Sequence, residues 1–121
     1  AKPMMLIAGG ETTVTLRGNG KGGRNQEIAL GAVKSLAGLE NVVLVSLATD
    51  GGDGTPDAAG AIVDGKTLDK ARKLNLSPDD FLQSNDSYNF FEPLGLLIKT
   101  GPTLTNVNDL LFLLIFPKLA K

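Results

Sequence analysis

The chain has 121 residues, of which 42% are apolar and 21% charged, so it carries enough apolar material for one core and is not a disordered chain. The net charge of -1 comes from mixed signs, which gives no basic stripe for a nucleic-acid partner. Cysteine and histidine are absent, which excludes disulfides, imidazole bases and the usual zinc sites.

The first half of the chain alternates strand and helix patterns. Met4 to Ala8 (MMLIA) is a short apolar run, and Thr13 to Arg17 (TVTLR) alternates and is β-branched, so both predict strands. After a glycine-rich loop, apolar residues at spacings of three and four predict a helix over residues 24–39. Val42 to Ala48 (VVLVSLA) is nearly continuous in apolar residues, which is typical of a strand buried on both faces.

The second half continues the alternation. The patterns predict a loop over 50–60, a strand over 61–64, helices over 66–74 and 77–82, an ambiguous stretch over 85–97, a polar loop over 99–109 and a last strand over 110–116. Ser77 and Pro78 supply an N-cap and a favoured first helical position. Together these elements predict a single α/β domain over residues 1–121, with a mixed β-sheet flanked by helices.

No stretch of the chain predicts a membrane protein. The most apolar run, LLFLLIF at residues 110–116, is far shorter than the roughly 20 residues that a spanning helix needs, and the N-terminus lacks a secretion signal. We therefore expect a soluble, cytoplasmic chain.

The stretch GNGKGGRNQE, residues 18–27, has the G-x-G-x-x-G spacing of a dinucleotide-binding loop between a predicted strand and a predicted helix. That reading also requires an acidic residue at the end of the next strand, about 20 residues on. Glu40 precedes that strand, and Asp50 follows it 27 residues after Gly23. The match is partial, so an oxidoreductase that uses a nicotinamide cofactor remains one hypothesis.

Arg24 is the unusual residue of this stretch, because a cation at a helix N-terminus is disfavoured unless an anion is bound nearby. Backbone amides together with basic side chains form an anion site, and a guanidinium suits a carboxylate or a phosphate. The alternative is that Arg24 turns to solvent and pairs with an exposed acid. The anion hypothesis adds five candidate binding residues: Gly20, Lys21, Gly22, Gly23 and Asn25.

A second polar cluster, ATDGGDGTPDAAG, follows the strand over residues 42–48. Ligands of open α/β sheets bind at that end of a strand, so Asp50 is a candidate base or hydroxyl-orienting carboxylate. Asp53 and Asp57 could support turns or hold a metal-bound water, and turn support is favoured. The spacing does not fit an EF-hand, and we assign no metal ligand.

A third cluster, NDSYNFFEP, contains Asn85 and Tyr88. The favoured interpretation is a helix cap followed by aromatic residues that enter the core. A place on the substrate side remains possible for Asn85, Tyr88 and Asp53.

Four stretches together resemble a known family: GGETTVTLRGNGKGGRNQE, ATDGGDGTPDAAGAIVDG, NDSYNFFEPLG and LIKTGPTLTNVNDL. They are similar to the MOFRL domain, the C-terminal domain of the glycerate kinases that make 2-phosphoglycerate, some of which are also labelled hydroxypyruvate reductases. The resemblance covers Met5 to Leu113.

The resemblance implies an active site shared between two domains. In the family, an N-terminal Rossmann-like domain faces this domain across a cleft, where ATP with Mg²⁺ phosphorylates D-glycerate. Arg24 and Asp50 match the family's active-site arginine and aspartate. Arg24 would grip the substrate carboxylate or the moving phosphoryl group, and Asp50 would accept the hydroxyl proton or orient the hydroxyl.

The chain also departs from the family pattern. Gly52 stands in place of a threonine, Leu96 in place of an acid and Leu104 in place of a glycine. The N-terminal domain, which would act in cis or in trans and carries the family's catalytic lysine, is not in this sequence. We therefore expect the isolated chain to be inactive, with self-association possible through exposed apolar surface. An inert interaction module is the third hypothesis.

Overall fold

A computed structural model describes residues 2–118 of the chain. Its elements in chain order are β1 (Met4–Gly10), α1 (Arg24–Leu36), β2 (Val42–Ala48), β3 (Gly60–Asp64), α2 (Thr67–Lys73), α3 (Pro78–Gln83), α4 (Ser87–Phe91), β4 (Leu97–Ile98) and β5 (Asp109–Ile115). The predicted α/β class, a sheet flanked by helices, is confirmed.

The strands form one five-stranded sheet in the order β1-β5-β2-β3-β4. All neighbouring pairs are antiparallel, whereas the sequence patterns predicted a mixed sheet. The reason is topological. The connection through α1 makes β1 and β2 run in the same direction, but β5 inserts between them and runs against both.

The helices pack in one layer on one face of the sheet. Ala29, Leu30 and Val33 of α1 lie in the core against Ala61 and Val63 of β3. The same core cluster contains residues of α2 and α4, and α3 contacts α1 and α4. The predicted helical face of α1 is thus confirmed, although the helix ends at Leu36 and not at Leu39.

The stretch Thr13 to Arg17, predicted as a strand, has no regular secondary structure and pairs with no strand among residues 2–118. Alternating β-branched residues favour a strand only where a neighbouring strand can pair with them. Here the partner is a side chain: Asn85 donates to the carbonyl of Thr15 and accepts from the amide of Arg17. We call residues 11–17 the strap.

The predicted cap of α3 is confirmed, since the Ser77 hydroxyl accepts from the amide of Asp80 ahead of Pro78. The ambiguous stretch over 85–97 resolves into the short helix α4 and the start of β4. Within residues 2–118 no helix is long and apolar enough to span a membrane.

Candidate functional site

Arg24 begins α1 and reaches the end of the sheet where β5 starts. Its Nη2 donates to Oδ1 of Asp109 at 2.9 Å, and its Nε donates to Oδ2 of the same carboxylate. Burial alone would raise the pKa of Asp109, yet the hydrogen bonds from Arg24 hold that pKa below its usual value. The carboxylate of Asp109 therefore fixes the guanidinium in one orientation.

The Arg24 side chain keeps 35% of its surface exposed and carries an unused donor. Its Nη1 makes no hydrogen bond or ion pair with any of residues 2–118, and Glu11 lies 3.9 Å from Nη2. Arg24 lines two clefts, of about 560 and about 430 Å³, and both are also lined by residues of the strap. The alternative was that Arg24 pairs with an exposed acid. Glu11 is such an acid, but the hydrogen-bonded partner of Arg24, Asp109, is buried.

Asp50 lies at the same end of the sheet. Ala48, the last residue of β2, pairs with Asp109 of β5, which binds Arg24. Asp50 comes two residues after Ala48 in the chain. The Asp50 side chain is exposed, and its Oδ1 accepts the amide of Gly52 at 3.0 Å. We call Arg24, Asp50 and Asp109 the strand-end site.

Asp53 occupies the N-terminus of α1. Its carboxylate accepts the amides of Asn25 at 2.9 Å and Gln26 at 2.8 Å, and also the side-chain amide of Asn25 at 3.1 Å. The backbone carbonyl of Asp53 accepts the Gln26 side chain at 2.9 Å, and Ser46 donates to Asn25 at 2.8 Å. Burial raises the pKa of Asp53, while these hydrogen bonds oppose the rise.

We call Asn25, Gln26, Ser46 and Asp53 the Asp53 junction. All four side chains are buried, and Asp53 is only 2% exposed. The protein's own carboxylate thus fills the place at the start of α1 where an anion was predicted. The structure places Asp53 in turn and helix support and not at a surface where a substrate could reach it.

The glycines of the loop over 18–23 allow backbone segments to approach closely. A Cβ added at Gly20 would lie 2.6 Å from the Ser84 carbonyl oxygen, and one at Gly23 would lie 2.1 Å from that of Asp53. A Cβ at Gly22 would lie 2.1 Å from the Ser87 hydroxyl. Internal packing therefore accounts for these glycines.

Some amide donors of this loop are used inside the protein, whereas those of Gly22 and Gly23 have no acceptor among residues 2–118. The amide of Gly20 donates to the carbonyl of Ser84, and that of Lys21 donates to Asp86. The G-x-G-x-x-G spacing also lacks its required context, because residues 13–17 form no strand. Of the five predicted anion-binding residues, Gly20, Gly22 and Gly23 line one of the two clefts, and Arg24 lines both.

Asn85 anchors the strap. Its Oδ1 accepts the amides of Arg17 and Gly18, and its Nδ2 donates to the Thr15 carbonyl at 3.2 Å and to Glu27. The residue is 6% exposed and has a positive φ of 54°. All of its hydrogen-bonding capacity is used internally, which supports the predicted structural role over a place on the substrate side.

Tyr88 forms a polar cluster with Asp57, Lys21 and Lys99. Its hydroxyl donates to Asp57, and this hydrogen bond raises the pKa of Tyr88 to about 12. The Nζ atom of Lys21 lies 3.7 Å from the ring centroid, and that of Lys99 lies 3.8 Å from Asp57. Tyr88 thus connects α4 to the loop after β2.

The three departures from the family pattern lie in different environments. A Cβ at Gly52 would meet only the Thr55 carbonyl, at 3.7 Å, so the missing threonine relieves no clash there. Leu96 packs against the core. Leu104 is 99% exposed, and its φ of 62° is a backbone conformation that glycine would adopt without strain.

Sequence reasoning did not identify Asp109 or Gln26 as important. Asp109 is separated from Arg24 by 85 positions and Gln26 from Asp53 by 27, so no local pattern connects them. Asp109 could have been noted as the polar residue that starts an apolar strand. Residues 2–118 contain no cluster of three or more acidic, histidine or cysteine side chains that could hold a metal ion.

Comparison with known proteins identifies long kinase relatives. The MOFRL family model matches residues 4–109. A D-glycerate 2-kinase of Thermotoga maritima is 54% identical over 114 residues, 94% of this chain and 27% of the kinase. A glycerate 2-kinase of Pyrococcus horikoshii is 46% identical over 117 residues, 96% of this chain and 26% of that protein. A protein of Agrobacterium vitis that bears a hydroxypyruvate reductase name is 43% identical.

Solved structures agree. The crystal structure of the glycerate kinase of T. maritima superposes with a TM-score of 0.91 over 94% of this chain and 28% of that one. A crystal structure from P. horikoshii superposes with a TM-score of 0.89 over 94% and 26%. The chain thus spans about a quarter of the length of the curated relatives it matches.

Proposed function

Since the chain belongs to the MOFRL family, we propose that it is the C-terminal domain of an ATP-dependent D-glycerate 2-kinase and contributes Arg24 and Asp50 to an active site shared with an N-terminal domain. The observation that carries the proposal is the guanidinium of Arg24. Buried Asp109 orients it, and Arg24 lines two clefts while its Nη1 makes no hydrogen bond with residues 2–118.

The geometry supports a division of roles. Arg24 binds an anion, either the glycerate carboxylate or the transferred phosphoryl group. Asp50 accepts the proton of the 2-hydroxyl group of glycerate while the oxygen of that hydroxyl group bonds to the γ-phosphorus of ATP. The bond from the γ-phosphorus to the bridging oxygen breaks, and ADP leaves. The exposed position of Asp50 suits a group that must meet a substrate held partly by another domain.

The proposed cofactors are ATP and Mg²⁺ in the complete enzyme. Residues 2–118 contain no group of three or more acidic side chains that could hold a metal ion, and we assign no step to Mg²⁺. The proposed partner is an N-terminal domain, in cis or in trans, and the proposed location is the cytoplasm. Because one half of a cleft leaves a bound anion exposed to water, we expect no turnover from the isolated chain.

A chimera tests the proposal: this chain replaces the matching quarter of the T. maritima D-glycerate 2-kinase. We expect ATP-dependent phosphorylation of D-glycerate, with kcat reduced at least about 100-fold by Arg24→Lys and by Asp50→Asn. The matched controls are Arg72→Lys and Asp69→Asn, both on the exposed surface of α2, and they should leave kcat unchanged.

The proposal fails if an active chimera tolerates both substitutions at Arg24 and Asp50 as well as it tolerates the controls. The same samples should be assayed for NADH-dependent reduction of hydroxypyruvate. Such activity would favour the oxidoreductase hypothesis, although the dinucleotide loop lacks its preceding strand.

A further inference from the structure

One face of the sheet is apolar and uncovered by the helices. Ser46 donates to Asn25 of α1 and Leu44 packs against the core, so alternate residues of β2 face the helices. The residues between them point the other way. Strand register extends this open face across the sheet, and its six principal side chains are Met5, Ile7, Val43, Val45, Phe112 and Leu114.

On the other face of the sheet, the helices cover the side chains of β3 but leave those of β1 exposed. One row across that face runs from Val63 through Leu44 and Leu113 to Leu6. Val63 is 0% exposed, whereas Leu6 is 53% exposed. On the open face, Ile7 is 60% exposed. Strand β1 is therefore bare on both faces, and it is also an edge strand.

Such a large exposed apolar surface is unusual for a domain that stays alone in water. Folded domains cover the apolar faces of their sheets, and large contiguous apolar patches mark interaction sites. The continuous apolar run of β2 is typical of strands covered on both faces. Residues 2–118 supply a layer for one face only.

We infer that the open face and both faces of β1 form a docking surface for the remaining part of a longer polypeptide, which supplies a second layer and encloses β1. The inference rests on the proposed function in one respect, since it takes the remaining three quarters of the kinase relatives as the occupant. The occupant would contact β1 with apolar side chains from both sides.

A second copy of this chain fits the surface less well. Pairing of two β1 edges would leave the faces at Leu6 and Ile7 exposed. Stacking of two open faces would cover Ile7 but leave Leu6 exposed, because these neighbours point to opposite sides of the strand. Only a body that reaches around the edge covers both residues.

The test introduces one charge on each face of β1. Ile7→Lys and Leu6→Lys are made in the isolated chain and in the chimera described above, with Leu74→Lys as the matched control, since Leu74 is 50% exposed at the end of α2. We expect each variant to shift the Tm of the isolated chain by less than about 2 °C. In the chimera, Ile7→Lys and Leu6→Lys should each lower Tm by about 5–10 °C, and the control should not.

Each other outcome overturns the inference. If Ile7→Lys lowers the Tm of the chimera and Leu6→Lys does not, the contact covers one face of β1 and does not enclose the strand. If neither variant lowers the Tm of the chimera, the surface stays free. A dimer of the isolated chain in sedimentation, dissociated by Ile7→Lys while the chimera is unaffected, would make a second copy the occupant.

Hydrogen exchange supplies a measurement without variants. Amides on the outer edge of β1 should exchange at least about 100-fold more slowly in the chimera than in the isolated chain, and equal rates would contradict docking. Neither readout needs catalysis. An inactive chimera that loses Tm with both lysines would support the docking surface and count against the kinase proposal, and an active chimera indifferent to them would do the reverse.

Discussion

Asp50 and Asp53 lie three residues apart in one loop, yet they differ in almost every physical respect. Asp53 is 2% exposed and its carboxylate accepts three hydrogen bonds, whereas Asp50 is exposed and accepts one. The Asp53 junction uses its polar groups to join α1 to the loop. The strand-end site keeps unused capacity on Arg24 and Asp50.

The difference separates residues that build the domain from residues available to a ligand. A buried carboxylate that accepts several N–H groups contributes to folding, because its removal leaves those donors unsatisfied. An exposed carboxylate contributes little to folding and is free to take part in chemistry. The predictions below test this contrast.

The largest expected effect is that of Asp53→Ala. The substitution removes the cap of α1 and leaves the amides of Asn25 and Gln26 buried without acceptors, so unfolding should become easier by about 3–4 kcal/mol. Asp50→Ala is the matched control and should change stability by less than about 0.5 kcal/mol. Urea denaturation of both variants measures the difference, and equal losses would remove the contrast.

Asn85→Ala should follow, with a loss of about 2–3 kcal/mol. It removes four hydrogen bonds, of which those at Thr15 and Arg17 hold the strap, and places alanine at a positive φ of 54°. Hydrogen exchange should accelerate at the amides of Arg17 and Gly18. Asn89→Ala, at an exposed position of α4, is the control, and unchanged exchange in Asn85→Ala would show that the strap is held otherwise.

Replacing glycine by alanine should lower the stability of the chain at one position and raise it at another. Gly23→Ala forces a Cβ against the carbonyl of Asp53 and should destabilise the chain by about 2 kcal/mol. Gly31→Ala, inside α1 with no atom within 4 Å of the added Cβ apart from its chain neighbours and the backbone of its own helix, should stabilise it by about 0.5–1 kcal/mol. Thermal denaturation tests the pair, and a neutral Gly23→Ala would mean that the loop packs more loosely.

The smallest effect concerns Tyr88, the one tyrosine of a chain without tryptophan, so its ultraviolet titration reports one group. The hydrogen bond to Asp57 raises its pKa to about 12, and Asp57→Asn should lower the midpoint toward 10. Because the folded-state pKa is raised, the contribution of Tyr88 to stability is complete below about pH 10 and is lost as pH rises toward 12. Asp64→Asn is the control, and an unchanged midpoint in Asp57→Asn would contradict the contact.

Local signals in the sequence predicted much of the fold. The spacing of apolar residues located α1, and Ser77 with Pro78 located the start of α3. Residues 13–17 of the strap were predicted as a strand because their apolar and polar side chains alternate. That alternation does not show whether a neighbouring strand is present to pair with them. The strand directions were missed because the placement of β5 between β1 and β2 depends on contacts distant in sequence.

The site was predictable only where a residue breaks a local rule. Arg24 stood out as a cation at a helix N-terminus, and the structure shows the compensating Asp109. The position directly after β2 favoured Asp50 as the reactive carboxylate and turn support for Asp53, but nothing local predicted the hydrogen bonds from Asn25 and Gln26 to Asp53. Their roles are set by distance from α1, which a sequence does not display. The catalytic roles of Arg24 and Asp50 remain predictions.

The central place of β5 has a consequence for synthesis on the ribosome. Of the five strands described within residues 2–118, β1 is made before the others and pairs with β5, the strand made after the others, so about a hundred residues separate the synthesis of these two neighbours. Such long-range closure slows folding and leaves a bare apolar strand in the nascent chain. A chaperone that binds apolar segments would meet Met4 to Ile7 during that interval.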